Sequence, residues 1–274
     1  MAELFFAESL NVDGVLFGDQ AYLSGLVTDA PCALVIHSGA STTYTMPMIR
    51  TDDASDSLPE PLFAASISSS FAGNAVTEHL RKLLVVQRDK IEQESGHSMD
   101  HSASFALLEN VKETLGFVSL DFHDDMKKCA ELSEIDQSYL LECDEVLMLG
   151  SERFRCVEPL FNRYMSGENL TLQDMVRESI EACPPEFHAA LWGNIVLSGG
   201  NTLFAGFAER LQRELEALDP PVPPVVHVRP ERRDLAWIGA AHYANLDFAK
   251  DRFVTREFHA EHLDRQLAQV IISV

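Results

Sequence analysis

The sequence predicts an α/β fold, and three observations carry that prediction. Apolar, β-branched runs at Cys32–His37, Thr43–Met48 and Ile195–Leu197 read as buried strands. Between them lie segments of helical period: Val76, Leu80, Leu83 and Leu84, and later Phe207, Leu211, Leu215 and Leu218. Two short turns, Ser38-Gly39-Ala40-Ser41 and Ser198-Gly199-Gly200-Asn201, put glycine where the backbone must bend sharply or come close to another group. Strands and helices mixed in this way give a layered α/β architecture.

Taken in order, residues 1–9 read as the end of a short helix and Val15-Leu16-Phe17 as a short strand. A helix starts over Gln20 to Ser24. The strands Cys32–His37 and Thr43–Met48 form a tight hairpin, and Thr51–Glu60 is an acidic, Ser- and Pro-containing loop. A helix runs from Gly73 to about Ile91, and the polar stretch 88–104 breaks its period into a loop. Phe105–Leu115 is helical. Glu142–Glu145 is a turn before the strand Val146–Leu149. Leu172–Ala182 and Pro185–Leu191 are helices, the second opened by Pro184-Pro185. Asn194–Leu197 is the strand before the second glycine turn. The helix after Gly206 puts Glu209, Arg210 and Arg213 on its outer face. Asp219-Pro220-Pro221-Val222-Pro223-Pro224 is a stiff linker leading to a strand at Val225–Val228 and a helix at Asp234–Asn245. No repeat of fixed period appears.

Composition narrows the function. The 274 residues are 46% apolar and 23% charged, a globular balance. A net charge of −22 argues against a direct grip on nucleic acid or on an anionic membrane surface. The five cysteines, Cys32, Cys129, Cys143, Cys156 and Cys183, include no CxxC pair and read as reduced, mostly buried thiols. Met1-Ala2-Glu3 lacks a basic leader, and no apolar run reaches the ~18 residues of a membrane span. The expectation is a soluble intracellular protein. Asp52, Asp53 and Asp56 lack the spacing of a calcium loop. His97 with His101, and His259 with His262, lack a third ligand, so solvated segments are the better reading. His37 and Ser38 are strand neighbours and point to opposite faces, so they are not a Ser–His pair. There is no Gly-x-Ser-x-Gly elbow and no Walker lysine motif.

Several motifs resemble actin and the actin-related proteins. Gly150-Ser151-Glu152-Arg153-Phe154-Arg155-Cys156-Val157-Glu158-Pro159-Leu160-Phe161 is similar to that family's Gly-x-Glu-Arg-Phe-Arg-Cys-Pro-Glu-x-Leu-Phe signature. The segment from Val111 to Phe122 resembles its Lys-Glu-Lys-Leu helix and the residues directly after that helix. Asn194–Phe207 resembles the adenine loop, and Ala236-Trp237-Ile238-Gly239-Ala240 the C-terminal Val-Trp-Ile-Gly-Gly. The motifs keep the family's order, and from Asp121 to Arg153 the spacing matches without a gap. The resemblance implies the actin-like fold shared with sugar kinases and chaperone ATPases, two α/β lobes around a nucleotide cleft. It places 1–36 and 236–274 in the first lobe, 37–73 and 166–235 in the inner second lobe, and 74–165 in its outer insertion.

The same resemblance implies an N-terminally incomplete fold. Asn11 and Gln20 match a family Asn and Gln, and the family's preceding portion, including the first phosphate hairpin and its lysine, has no counterpart here. The second phosphate hairpin, Asp-Ser-Gly-Asp-Gly in the family, is His37-Ser38-Gly39-Ala40-Ser41, with both carboxylates gone. Imidazole does not replace a carboxylate on a hard cation. Gln20 matches the water-orienting glutamine, a relic without metal and phosphate clamps. No useful ATP hydrolysis is expected.

Base recognition is better kept. By resemblance Lys112 and Glu113 contact adenine and ribose, Gly199 and Gly200 form the loop under the base, and Phe204 replaces a tyrosine against it. Arg233 replaces a lysine beside it, and Ser38 and Gly39 remain of the phosphate turn. Phe204 also reads as a core aromatic, Lys112 as a solvated helix residue and Arg233 as a surface charge. The expected cofactor is weakly held ATP or ADP, with Mg2+ not supported. The expected role is a non-catalytic scaffold or filament-end subunit among other actin-family or complex subunits, of the dynein-activating type and cytoplasmic. A chromatin-remodelling subunit in the nucleus, or a truncated form of an active actin-fold ATPase, are the alternatives. Homopolymerisation is not expected, because it uses surfaces of both lobes.

Overall fold

Strand pairing at the centre of the molecule follows from one run, Cys-Ala-Leu-Val-Ile-His-Ser, every residue of which is buried. The computed structural model describes residues 12–28, 30–51, 58–95, 105–132, 135–140, 146–167, 170–256 and 258. In chain order the elements are β1 (Gly14–Val15), α1 (Gln20–Gly25), β2 (Cys32–Ser38), β3 (Thr43–Ile49), β4 (Glu60–Pro61), β5 (Ser68–Ser69) and α2 (Gly73–Ser95). Next come α3 (Phe105–Leu115), α4 (Phe122–Leu132), β6 (Gln137–Leu140), β7 (Val146–Leu149), α5 (Glu152–Arg155), α6 (Leu172–Glu181) and α7 (His188–Trp192). The described chain closes with β8 (Ile195–Ser198), α8 (Phe207–Glu216), β9 (Val226–His227), α9 (Leu235–Ala244) and β10 (Val254–Thr255).

The main sheet runs β4-β3-β2-β8-β9, with β5 also on β3. β2 pairs antiparallel with β3 and parallel with β8, and β9 continues the parallel half. Both faces are covered, which is why β2 reads as a continuous apolar run rather than an alternating one. Leu34, Ile36, Ile195 and Leu197 face one core with Val176, Ile180, Phe207 and Leu211. Ala33, Val35, Met46, Met48 and Val196 face the other with Ala21, Tyr22 and Tyr243. Gly239 lets α9 sit directly on α1, since a Cβ there would overlap the Leu23 carbonyl.

The fold corrects some expectations. The helix expected to end near Ile91 runs on to Ser95: Glu92, Gln93 and Glu94 are good helix formers, so loss of apolar period did not end the helix. The strand expected at Val15-Leu16-Phe17 is the pair Gly14–Val15, held by β10. The helix expected from Pro185 begins as a 3-10 turn, Pro185–Phe187. Helix α4 was missed although Phe122, Met126, Cys129 and Ala130 recur on one face; it starts on Asp121, whose carboxylate accepts from the Asp124 N–H at 3.0 Å as an N-cap. Residues 1–9, the acidic loop at 52–57, the His97/His101 segment, the 142–145 turn, Cys143 and the His259/His262 segment fall outside the described residues. Of the described cysteines, Cys32, Cys156 and Cys183 are buried and Cys129 is half-buried, all as free thiols. No helix among the described residues is long and apolar enough to cross a membrane.

Arg210 is the clearest correction. It does not lie on the outer face of α8 but is 8% exposed. Its guanidinium bonds Glu158 at 3.0 Å, Glu214 at 2.6 Å and the Ser119 carbonyl at 2.6 Å, over the Phe161 ring. Position 210 is three residues after the core residue Phe207, so it flanks the buried stripe. Burial pushes the Glu158 carboxyl above the usual range even with Arg210 against it. Arg210→Ala strands that carboxylate, and a loss of about 3–5 kcal/mol is expected in urea unfolding at pH 7. The loss shrinks at pH 5. A carboxyl whose folded pKa lies above its unfolded value adds stability at acid pH and loses it as pH rises.

Candidate functional site

The ends of β2 and β8 lie side by side, with His37 opposite Ser198 in parallel register. Two turns therefore meet: 39–42, joining β2 to β3, and Gly199-Gly200, immediately after β8. Gly199 has φ +93°, and a Cβ on it would overlap the Ser38 carbonyl oxygen. Only glycine fits this close crossing. At Gly200 a Cβ would meet nothing within 4 Å, so this side of the loop is open.

Strand alternation sends His37 and Ser38 to opposite faces, and each starts a hydrogen-bond relay. On one face His37 Nδ1 lies 3.2 Å from Ser198 Oγ, which is 2.7 Å from Ser24 Oγ; Ser24 in turn donates to the Gln20 carbonyl at 2.7 Å. On the other face the Asn201 amide donates to Ser38 Oγ at 2.9 Å. Ser38 Oγ is 2.7 Å from Thr43 Oγ1, and Thr43 donates to the Phe71 carbonyl at 2.9 Å. The Thr43 proton is thus committed, so the Ser38 hydroxyl donates to Thr43 and has none to offer a phosphate. Ser38 is fully buried, so its side chain acts here as a structural link.

Sequence reasoning missed the partners of His37. The Tyr44 ring lies 5.4 Å from the imidazole, and the Tyr44 hydroxyl donates to Asp19 at 3.1 Å while accepting from the Ala21 N–H. Asp19 also caps α1 through the Tyr22 N–H at 2.9 Å. An Asp just before a helix start was legible as a cap; its proximity to His37 depends on packing. Gln20 is exposed at the first turn of α1. Burial lowers the His37 pKa, and Asp19 opposes that shift.

The base-side candidates separate. Lys112 is 6% exposed and points into the protein, with Nζ 3.1 Å from the Gly73 carbonyl and 2.9 Å from Thr77 Oγ1. It staples α3 to the first turn of α2, and burial lowers its pKa. Neither the solvated reading nor the base-contact reading of Lys112 holds in this geometry. Glu113, next along α3, is exposed. Phe204 is half-buried against Gly116, where a Cβ would come within 2.7 Å of its ring. Arg233 is exposed, while its neighbour Arg232 reaches the loop: its guanidinium donates to the Thr202 carbonyl at 3.3 Å, and its own carbonyl accepts from the Gly199 N–H at 2.8 Å. Arg232, which the sequence did not single out, is the arginine that packs on this loop.

The 150–161 motif supports this frame. Arg153 donates to the Leu115 carbonyl at 2.8 Å, ending α3, and stacks 4.9 Å from the Phe117 ring centroid. Val118 then pairs with Ala205 across the glycine loop at 2.8 Å. The family model for actin matches residues 1–269. The chain belongs to the actin family. Its mixed sheet with helices on both faces is consistent with the α/β actin-like fold.

Actin-family folds imply a nucleotide and Mg2+. The residues fit the two unequally. The open loop at Gly200, the exposed Glu113 and the Phe204 face fit a nucleoside. The 37–41 turn does not fit Mg2+: it carries no carboxylate, and no group of three or more metal-capable side chains occurs among the described residues. Asn201 Oδ1 is buried without a partner, and as an acceptor it does not suit phosphate oxygens. Paired substitutions test the loop geometry. Gly199→Ala is expected to lower stability by roughly 1–3 kcal/mol or more, whereas Gly200→Ala leaves the melting temperature nearly unchanged in thermal unfolding.

Proposed function

We propose that this actin-family chain is a divergent actin-related protein that acts as a non-catalytic scaffold or filament-end subunit. Its setting is a cytoplasmic, cytoskeletal assembly of the dynein-activating type, with other actin-family or complex subunits as partners. The observation that carries this reading is the 37–41 turn. His37 stands where the family resemblance calls for a carboxylate, and its Nδ1 is tied to Ser198. With no acidic side chain in the turn, a metal-held attacking water has no support there. Exposed apolar side chains support an interaction role: Trp237 on α9 is 75% exposed, and Leu140, Val146 and Met148 stand out from the β6–β7 hairpin.

Residual adenine-nucleotide binding belongs to this reading. Glu113 and the Gly199-Gly200 loop would hold the nucleoside, and ATP or ADP would bind weakly. Incubation with Mg-ATP is expected to release no phosphate above the buffer rate, and sustained turnover would overturn the non-catalytic assignment. Glu113→Ala is expected to weaken ADP in calorimetry without moving the melting temperature, since the side chain is exposed. Gentle purification from cells should bring down motor-activating subunits. Recovery of chromatin remodellers instead would move the protein to the nucleus.

A further inference from the structure

The direction of every proton in the His37 relay is fixed. The Ser24 hydroxyl gives its single proton to the Gln20 carbonyl at 2.7 Å, so in its 2.7 Å contact with Ser198 it accepts. The Ser198 proton is therefore used on Ser24, and Ser198 Oγ must accept from His37 at 3.2 Å. Nδ1 of His37 carries a proton in both the neutral and the charged ring. Nε2 is the atom that titrates, and protonating it disturbs nothing in the relay.

Nε2 faces the 39–42 turn. A Cβ placed on Gly39 would lie 3.2 Å from it, so glycine there keeps a side chain off the nitrogen of a ring that is itself 6% exposed. No described residue bonds Nε2. The titratable groups packed against the ring are Asp19, from the α1 cap, and Tyr44, from β3, whose hydroxyl burial keeps protonated. β8 contributes only Ser198, and the turn itself has no charged side chain. A ligand at the junction of the two glycine turns therefore meets backbone, the open side of Gly200, and one ring nitrogen able to become a cationic donor.

We infer that His37, through Nε2–H, serves as the counter-charge for a phosphate group at this junction, so that the cleft takes a nucleoside phosphate by gaining a proton rather than a divalent cation. The inference rests on the nucleotide reading above and adds the means by which the phosphate is held. The sign comes from linkage. An anion beside the imidazolium raises the His37 pKa in the complex above its value in the free protein, so affinity is greatest at low pH and falls as pH rises through the bound-state pKa.

The test is calorimetry of the full chain with ADP and with adenosine, in EDTA, at pH 6 and pH 8. ADP should bind tighter at pH 6 than at pH 8, by at most about tenfold for each unit by which the phosphate raises the His37 pKa. Adenosine should bind equally at both pH values, and replacing EDTA by Mg2+ should not strengthen ADP. His37→Gln should abolish the gain in ADP affinity between pH 8 and pH 6. ADP binding that is flat with pH in the unsubstituted protein, or that disappears in EDTA, overturns the inference but leaves the nucleotide site standing. Absence of binding by both ADP and adenosine at either pH overturns the nucleotide site and this inference with it.

Discussion

The close crossing of Gly199 over Ser38 is the constraint on which the rest of the site depends. Parallel pairing of β2 with β8 brings their ends level, and only a residue without Cβ lets the second chain turn there. Once that crossing is made, Ser198 is opposite His37 and Asn201 reaches Ser38, so both relays arise from one backbone contact. The same crossing sets the start of α8, and through α8 the Arg210–Glu158 pair ties the glycine loop to the 150–161 motif. Packing, polar satisfaction and site geometry are thus consequences of one register.

Much of the fold was legible because its strands are covered on both faces. β2, β3 and β8 show up as apolar runs for that reason, and α3 as a clean helical period ending where Arg153 takes the Leu115 carbonyl. The elements that escaped are held by caps or by distant pairing. α4 starts on the Asp121 cap, and its short stripe of Phe122, Met126, Cys129 and Ala130 lies among charged residues. β1 is a strand only because β10 lies beside it. A two-residue strand has no period to read.

The candidate site was legible by position and less so by role. Gly199, Gly200 and Phe204 fall together because the loop that holds them is one continuous segment. The Ser38 and Lys112 side chains are engaged within the protein, whereas Arg233 is exposed. The Ser38 proton goes to Thr43, the Lys112 ammonium goes to Gly73 and Thr77, and Arg232 contacts the loop. Where a proton or a guanidinium is directed depends on neighbours far away in sequence. His37 and Ser198 are 161 residues apart, and no local pattern links them.

The pairing of β1 with β10 has a consequence for biosynthesis. Val15 meets Val254, and α1, besides packing on β2 and β3, rests on α9 through Gly239, so part of the cover of the earliest described elements comes only from the last. At the usual pace of a ribosome that interval is roughly 10–50 s. During it the buried face of α1, including Ala21 and Tyr22, has part of its cover still unmade. The sheet around β2 and β3 can form early from a local hairpin, whereas this outer closure must wait for nearly the whole chain. Its nascent form is therefore a natural client for chaperones that shield apolar surface.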